Sequence, residues 1–334
     1  MTDMLGGKPV SWDRPENWED RAKRIAGMLK QRQEAIRLVG ICGDYALGDV
    51  FGGSVLTMVV FLHDWRPDYT IGHVQAMEEM PVVLDWVTDA YLVEKEPALT
   101  DDRRAHRLAT LQPLLTLDKV IRDVLVQFRD EYFGAEERDR RTERLIQYSL
   151  KRLDQYETSG HAIDAVESFL WGYGPALCHA VDEPPSSRRL LQRFGGAARV
   201  RRVRPLVETT VEEFGLGSRD PAEALAQTEA LAALAESYVR ESRADVVGGL
   251  SPLWASDLAK AGRAVEALTD SGERESAVFA AMSSAANIDA STEHAVPGFR
   301  DYAGYAEISD ALFGKPEASA LRHMAYGVRG ALRR

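Results

Sequence analysis

Thiol is scarce in this chain of 334 residues: Cys42 and Cys178 are its two cysteines. That excludes a disulfide scaffold and any zinc site built mainly on cysteine. Long apolar runs are lacking too. None approaches the roughly 20 residues that a spanning helix needs, so no membrane partner is expected. The opening MTDMLGGKPVSWDRPENWEDR has no basic stretch followed by an apolar one, so no secretory signal is expected. The expected setting is cytoplasmic, with reduced thiols. Positive charge is in deficit, with 41 Lys and Arg against 52 Asp and Glu, a net charge of −11. A nucleic-acid binder should be basic, so no nucleic-acid partner is expected. There is no HExxH, no Cys/His pair at zinc spacing, no Gly-x-Ser-x-Gly elbow, no Walker loop and no dinucleotide fingerprint.

What is present divides by character near residue 120. The length suits about two domains. Trp18 to Glu34 has the 3.6-residue apolar period of an amphipathic helix, with Asn17 as a plausible N-cap. Ala35 to Cys42 is short, β-branched and closed by glycine, which predicts a strand. Ser54 to Leu62 is a nearly continuous apolar run, a strand buried on both faces. Thr70 to Glu79 reads as a helix, Met80 to Val87 as a strand and Leu114 to Asp118 as a shorter strand. From Lys119 onward the pattern is helical, punctuated by Gly and Pro, with helices over Pro185 to Phe194 and Pro221 to Ser242 among those expected. The expected class is therefore α+β: a small mixed sheet domain over 1–120, then a mostly helical domain over 121–334.

One stretch carries chemical information. Val39-Gly-Ile-Cys42 leads into Gly43-Asp44, then Tyr45-Ala-Leu-Gly48, and Gly53-Ser54 precedes the next strand. This resembles the signature of the nucleotidyltransferase superfamily, in the branch of kanamycin nucleotidyltransferase-like enzymes. That signature is a strand, a Gly-Ser or Gly-Gly pair, a loop of about ten residues, and a strand bearing two carboxylates one residue apart. Carboxylates at i and i+2 of a strand share a face. In that family they hold Mg²⁺ between nucleotide phosphates and a nucleophilic hydroxyl. The glycines let backbone N–H groups approach the phosphates.

This sequence departs from the signature at its chemical positions. Val55 and Thr57 stand where the two carboxylates belong, and Asp44 stands where the serine belongs. A third family carboxylate on a later strand has Asp85 as its counterpart. The resemblance implies a retained fold with the metal-dependent chemistry lost, and so no cofactor. On that reading Asp44 and Asp85 are the candidate catalytic groups, and Gly43, Tyr45, Ser54 and Thr57 line the substrate. The bland alternatives are that Asp44 is an ordinary turn residue and that Val55 and Thr57 are simply good strand formers.

Asp85 is odd on its own terms. It interrupts Val82-Val-Leu-Asp-Trp-Val87, and a charge inside an apolar strand is costly unless it is paired or faces a cleft. Desolvated, it suits general-base work; on an edge strand it would merely face water. His63-Asp64 at a strand end offers a weaker acid–base pair. Arg188 to Arg204 holds seven arginines and no acid. Arg188 and Arg189 are candidates for an anionic substrate group, which arginine grips in a fixed fork. The same face could dock an acidic partner subunit, or be an ordinary solvated one. Phe169-Leu-Trp-Gly-Tyr-Gly-Pro175 marks a helix break, which would either line a pocket wall or pack as core around a kink.

Three functions follow as expectations. The first is a repurposed enzyme of bacterial secondary metabolism acting on a small molecule with an anionic group. It displaces or eliminates sulfate or phosphate without a metal, for example in ring closure by an internal amine. The second is a non-catalytic pseudo-nucleotidyltransferase that works as a subunit of a hetero-oligomer. The third is an active nucleotidyltransferase with relocated ligands Asp44, Asp49 and Asp85.

Overall fold

A computed structural model describes residues 17–48, 50, 54–63, 74–78, 80–183, 185 and 188–332. The chain divides into two compact units, Met1–Glu137 and Arg138–Arg334. The first unit is built on a five-stranded sheet of order β3-β4-β2-β1-β5. Its strands are β1 (Ile36–Cys42), β2 (Leu56–Leu62), β3 (Val74–Met77), β4 (Met80–Thr88) and β5 (Gln112–Thr116). β1 runs antiparallel to β2 and β5, β3 antiparallel to β4, and β2 parallel to β4. The sheet is therefore mixed.

Both faces are covered, as the continuous apolar character of β2 demands. One face carries Val39, Ile41, Met58, Val60, Leu84 and Trp86 against helix α1 (Trp18–Arg32). The other carries Leu38, Cys42, Val59, Phe61 and Val87. It is closed by α3 (Asp89–Val93), α4 (Glu96–Thr100), α5 (Asp102–Ala109) and α6 (Lys119–Tyr132). α6 buries Ile121, Leu125, Phe128 and Tyr132 there. That burial places the division between the units at 137/138, later than the 120 at which composition changes. Between β1 and β2 stands one turn of helix, α2 (Asp44–Leu47).

The second unit is helical: α7 (Ala135–Ser159), α8 (Ala162–Ser168), α9 (Gly174–His179), α10 (Leu190–Val200), α11 (Pro205–Glu213), α12 (Pro221–Ser242), α13 (Val247–Asp270), α14 (Arg274–Ala295), α15 (Tyr305–Phe313) and α16 (Ala318–Leu332). The aromatic run expected at a kink is a π-helical segment, Phe169–Tyr173, between α8 and α9. Phe169 lies within 5.0–5.2 Å of the rings of Tyr173, Phe194 and Phe279, so the kink seats an aromatic core.

Three expectations are corrected. The stretch 70–79 is not a helix where it is described: Val74–Met77 pairs with β4 as an edge strand, and 70–73 lie outside the described residues. Asn17 does not cap α1 through its side chain. It sits at φ 65°, ψ 27°, with no side-chain hydrogen bond to the helix. The helix expected over Pro185–Phe194 starts at Leu190 and runs to Val200.

Candidate functional site

β1 ends in Cys42, and Gly43 then turns the chain at φ 70°, ψ −149°, a region that a side chain strains. The turn starts α2, so Asp44 is its first residue. Asp44 is buried, and Ser54 at the approach to β2 donates its Oγ hydrogen bond to Asp44 Oδ2 at 2.7 Å. The glycine turn and Ser54 thus meet, and they meet on a carboxylate.

Register assigns the next residues. Cys42 pairs with Thr57, Thr57 with Val83, and Val59 with Asp85. Side chains alternate along a strand. Val59, Phe61 and Val87 belong to the cluster under α3–α6, so Thr57 and Asp85 are placed on that same face, beside Cys42. β4 is the second strand of the sheet, not its edge, so the water-facing alternative for Asp85 is excluded.

Asp85 is 5% exposed. Helix α5 brings two guanidinium groups to it: Arg107 Nη1 is 3.7 Å from Oδ2 and Arg104 Nη2 is 3.9 Å from Oδ1. Residues three apart on a helix share a face, which is why one short helix delivers both. Both distances lie within ion-pair reach but beyond hydrogen-bond length. Asp85 Oδ1 has no hydrogen-bond partner among the described residues. Burying a carboxylate costs several kcal/mol, on the order of what nearby opposite charge returns, so the arginines are what permit it there. The Cys42 thiol lies among these groups. Burial pushes it up to about 12; Arg107 pulls it down, and Asp85 and Asp44 push it further up.

Asp44 and Asp85 therefore act on one common neighbour, and Thr57 stands across from it. Gly43 and Ser54 complete this end of the sheet. Tyr45 does not belong here. It is 4% exposed, and its ring meets Trp18 edge-on at 5.1 Å in the core of the opposite face. Its aromatic character serves packing, and it leaves the candidate set. Arg188 and Arg189 precede α10 in the helical unit, where Arg189 Nε donates to Gln192 Oε1 at 2.7 Å. Their neighbours are tied locally: Arg193 pairs with Glu183, Arg201 donates to the Ala180 carbonyl and Arg204 pairs with Glu208. His63 Nδ1 lies 2.9 Å from Asp89, and Asp64 falls outside the described residues.

Sequence reasoning missed Cys42, Arg104 and Arg107. The signal for the arginines was Asp102-Arg-Arg-Ala-His-Arg-Leu-Ala109, whose polar positions recur at i, i+3 opposite Ala105, Leu108 and Ala109.

The Mg²⁺ that members of the resembled family hold does not fit these residues. Val55 has no donor, Thr57 has a neutral hydroxyl, and Asp85 is held by arginines. Among the described residues no three His, Cys, Asp or Glu side chains are grouped so as to hold a metal ion. Asp49 lies outside the described residues.

No protein-family model matches the chain. No curated protein matches it. Among solved structures it is similar to a nucleotidyltransferase-like protein from Exiguobacterium sibiricum, at 18% identity and a TM-score of 0.32, over 57% of this chain and 66% of that one. The chain thus spans just under two thirds of that protein's length. The site's own residues carry the functional reading.

Proposed function

We propose that the sheet unit is a nucleotidyltransferase-like scaffold turned to metal-independent displacement or elimination of an anionic leaving group. One observation carries this reading: a buried carboxylate, Asp85, with a free acceptor oxygen, set where the scaffold would otherwise hold a metal ligand. Two further facts support it. The strand positions for the other ligands are Val55 and Thr57, and the phosphate-contacting serine is replaced by Asp44, whose Oδ2 is already engaged by Ser54.

The step follows from these groups. Asp85 Oδ1 accepts a proton from a substrate amine or hydroxyl. The freed lone pair forms a bond to the neighbouring carbon. The C–O bond to sulfate or phosphate breaks, and its electron pair leaves with the oxyanion. Nucleophile and leaving group sit in one molecule, so the protein's part here is to hold the amine or hydroxyl in line with the C–O bond that breaks. The proton acceptor adds about 10²–10⁴-fold. Asp44, fixed by Ser54, positions the turn and takes no proton in this scheme.

The test is direct. A 2-aminoalkyl sulfate and the matching phosphate are incubated with the protein, and released anion is measured against the Asp85→Asn variant. Anion release that falls at least a hundredfold in the variant is the expected result. Equal release by both proteins overturns the assignment. Mg²⁺-dependent binding of ATP, CTP or GTP in calorimetry would overturn it in favour of nucleotidyl transfer. No release by either protein would leave the non-catalytic subunit as the better reading.

A further inference from the structure

The two units use arginine in different ways. In the helical unit, Arg152 and Arg300 reach the Asp164 carboxylate at 2.7 and 2.9 Å, and Arg300 Nε reaches Asp289 at 3.0 Å. Those are the lengths of charge-assisted hydrogen bonds, so both guanidinium groups bond their carboxylates directly. In the sheet unit, Arg104 and Arg107 stand about 1 Å farther from Asp85, at 3.9 and 3.7 Å. Arg104 also lies 4.0 Å from Asp101 and 6.0 Å from the Tyr91 ring centre, contacts too long for hydrogen bonds. Their side chains are 34% and 50% exposed, while that of Asp85 is 7% exposed. Two guanidinium forks thus face a single buried carboxylate, and among the described residues neither donates a side-chain hydrogen bond. One cation would suffice for neutrality.

We propose that Arg104 and Arg107 are the receptor for the oxyanion of the substrate, a sulfate or phosphate ester, with the anion held on the outer side of the two forks. This deepens the proposed function and rests on it for the role of Asp85. It moves anion recognition from Arg188 and Arg189 to α5 and places it inside the unit that holds the base. The geometry assigns unequal shares. Among the described residues Asp101 draws charge from Arg104, whereas Arg107 lies within ion-pair reach of Asp85 alone, so Arg107 contributes more. The same arrangement leaves the Asp85 oxygens without direct bonds to the arginines, which attract the carboxylate from ion-pair distance. When the ester oxygen leaves, the charge that develops on it meets donors already in place.

Inorganic sulfate, inorganic phosphate and acetate serve as probes, titrated calorimetrically at constant ionic strength so that general screening is the same in every arm. Sulfate or phosphate should bind the wild-type protein, and whichever binds more tightly identifies the ester. Arg107→Gln should weaken binding by on the order of tenfold or more, the value of one charge-assisted contact. Arg104→Gln should weaken it less, and the double variant should abolish it. Arg188→Gln/Arg189→Gln should bind like the wild type. Asp85→Asn should bind the anion more tightly, because a repelling charge is removed. That arm separates the two proposals: anion binding is read without turnover, so a failed Asp85 activity assay leaves it standing. Wild-type affinity in the Arg104→Gln/Arg107→Gln variant, no binding to the wild type, or binding of acetate alone would each overturn the inference. Crystals soaked in selenate give a reading that needs no variant. An anomalous peak at Arg104 and Arg107 supports the assignment, and a peak only at Arg188–Arg204 overturns it.

Discussion

Asp85 shows what a single residue in the wrong company can reveal. Within Val82-Val-Leu-Asp-Trp-Val87 it was conspicuous from the sequence alone, because burial of a lone carboxylate has to be explained. Its partners were not conspicuous, since Arg104 and Arg107 lie about twenty residues on and meet it through a helix that the apolar pattern did not announce. Cys42 was invisible for another reason: a buried thiol and a buried methyl group look alike in a pattern. Its chemistry is nevertheless testable. Burial, aided by Asp85 and Asp44, pushes the thiol from 9.0 up to about 12. Burial raises Cys178 as well. The thiolate is the reactive species, so neither cysteine of the native protein should react with iodoacetamide at pH 8, and both should react in denaturant. Mass spectrometry of the alkylated protein checks this. The linkage has a definite sign. Below pH 9 both folded and unfolded Cys42 carry the proton, and no penalty arises. Between about 9 and 12 the unfolded thiol ionises while the folded one cannot, so stability falls as pH rises. Tyr91, raised by burial and by its bond to Asp101, adds to the same slope. Cys42→Ala should flatten this decline in urea titrations across that window. A slope equal to the wild type would refute the assignment.

Elements were legible to the extent that their apolar period was unambiguous. β1, β2 and β4 have runs too continuous to be anything but buried strands, and α12 with its Asp220 cap is found where Gly, Pro and the apolar positions put it. The stretch 70–79 failed because its few apolar residues fit either period, and pairing with β4 settled Val74–Met77 as a strand. Tertiary contact decided it, not propensity. The same holds for the fit of β5 on β1, where a glycine is required for want of space. A Cβ on Gly40 would sit 2.8 Å from Leu111 Cγ and 2.9 Å from the Gln112 carbonyl oxygen. The leucine can yield a little, but the carbonyl oxygen is backbone of β5 and cannot without breaking the ladder. Gly40→Ala should therefore destabilise the sheet unit by about 1–3 kcal/mol, the usual cost of overpacking. Chemical denaturation measures it directly. A change below about 0.5 kcal/mol would mean that β5 slides freely on β1. The candidate site depends on the same fit, since Gly40 lies two residues before Cys42 and sets where β1 ends.

At the scale of the whole molecule, the helical unit is joined by charge as well as by its aromatic core, and nothing in the sequence pattern announced it. Asp164 and Glu167 on α8, Asp289 on α14, Arg152 on α7 and Arg300 before α15 are scattered over 149 positions, from 152 to 300. Folding collects them. Arg152 bonds Asp164 at 2.7 Å and pairs with Glu167. Arg300 holds Asp164 at 2.9 Å and Asp289 at 2.5 Å, and Tyr305 donates to the other Asp289 oxygen at 2.7 Å. The three carboxylates are 0–2% exposed. Ion pairs this deep are poor evidence of net stability, because desolvation offsets most of the attraction. Breaking one is a different matter, since the partner is left charged and dry. Arg300→Gln removes the guanidinium from Asp289 and one of two from Asp164, and should cost about 3–5 kcal/mol. Arg300→Lys keeps the charge but loses the fork that spans two carboxylates, and should fall between. Hydrogen exchange locates the loss. Protection should drop in α8 and α14, the elements that the network ties, before it drops in β1 and β2, whose core is separate. Equal loss in both units would show that the network is no latch of the helical unit, and that its charges matter only to the stability of the chain as a whole.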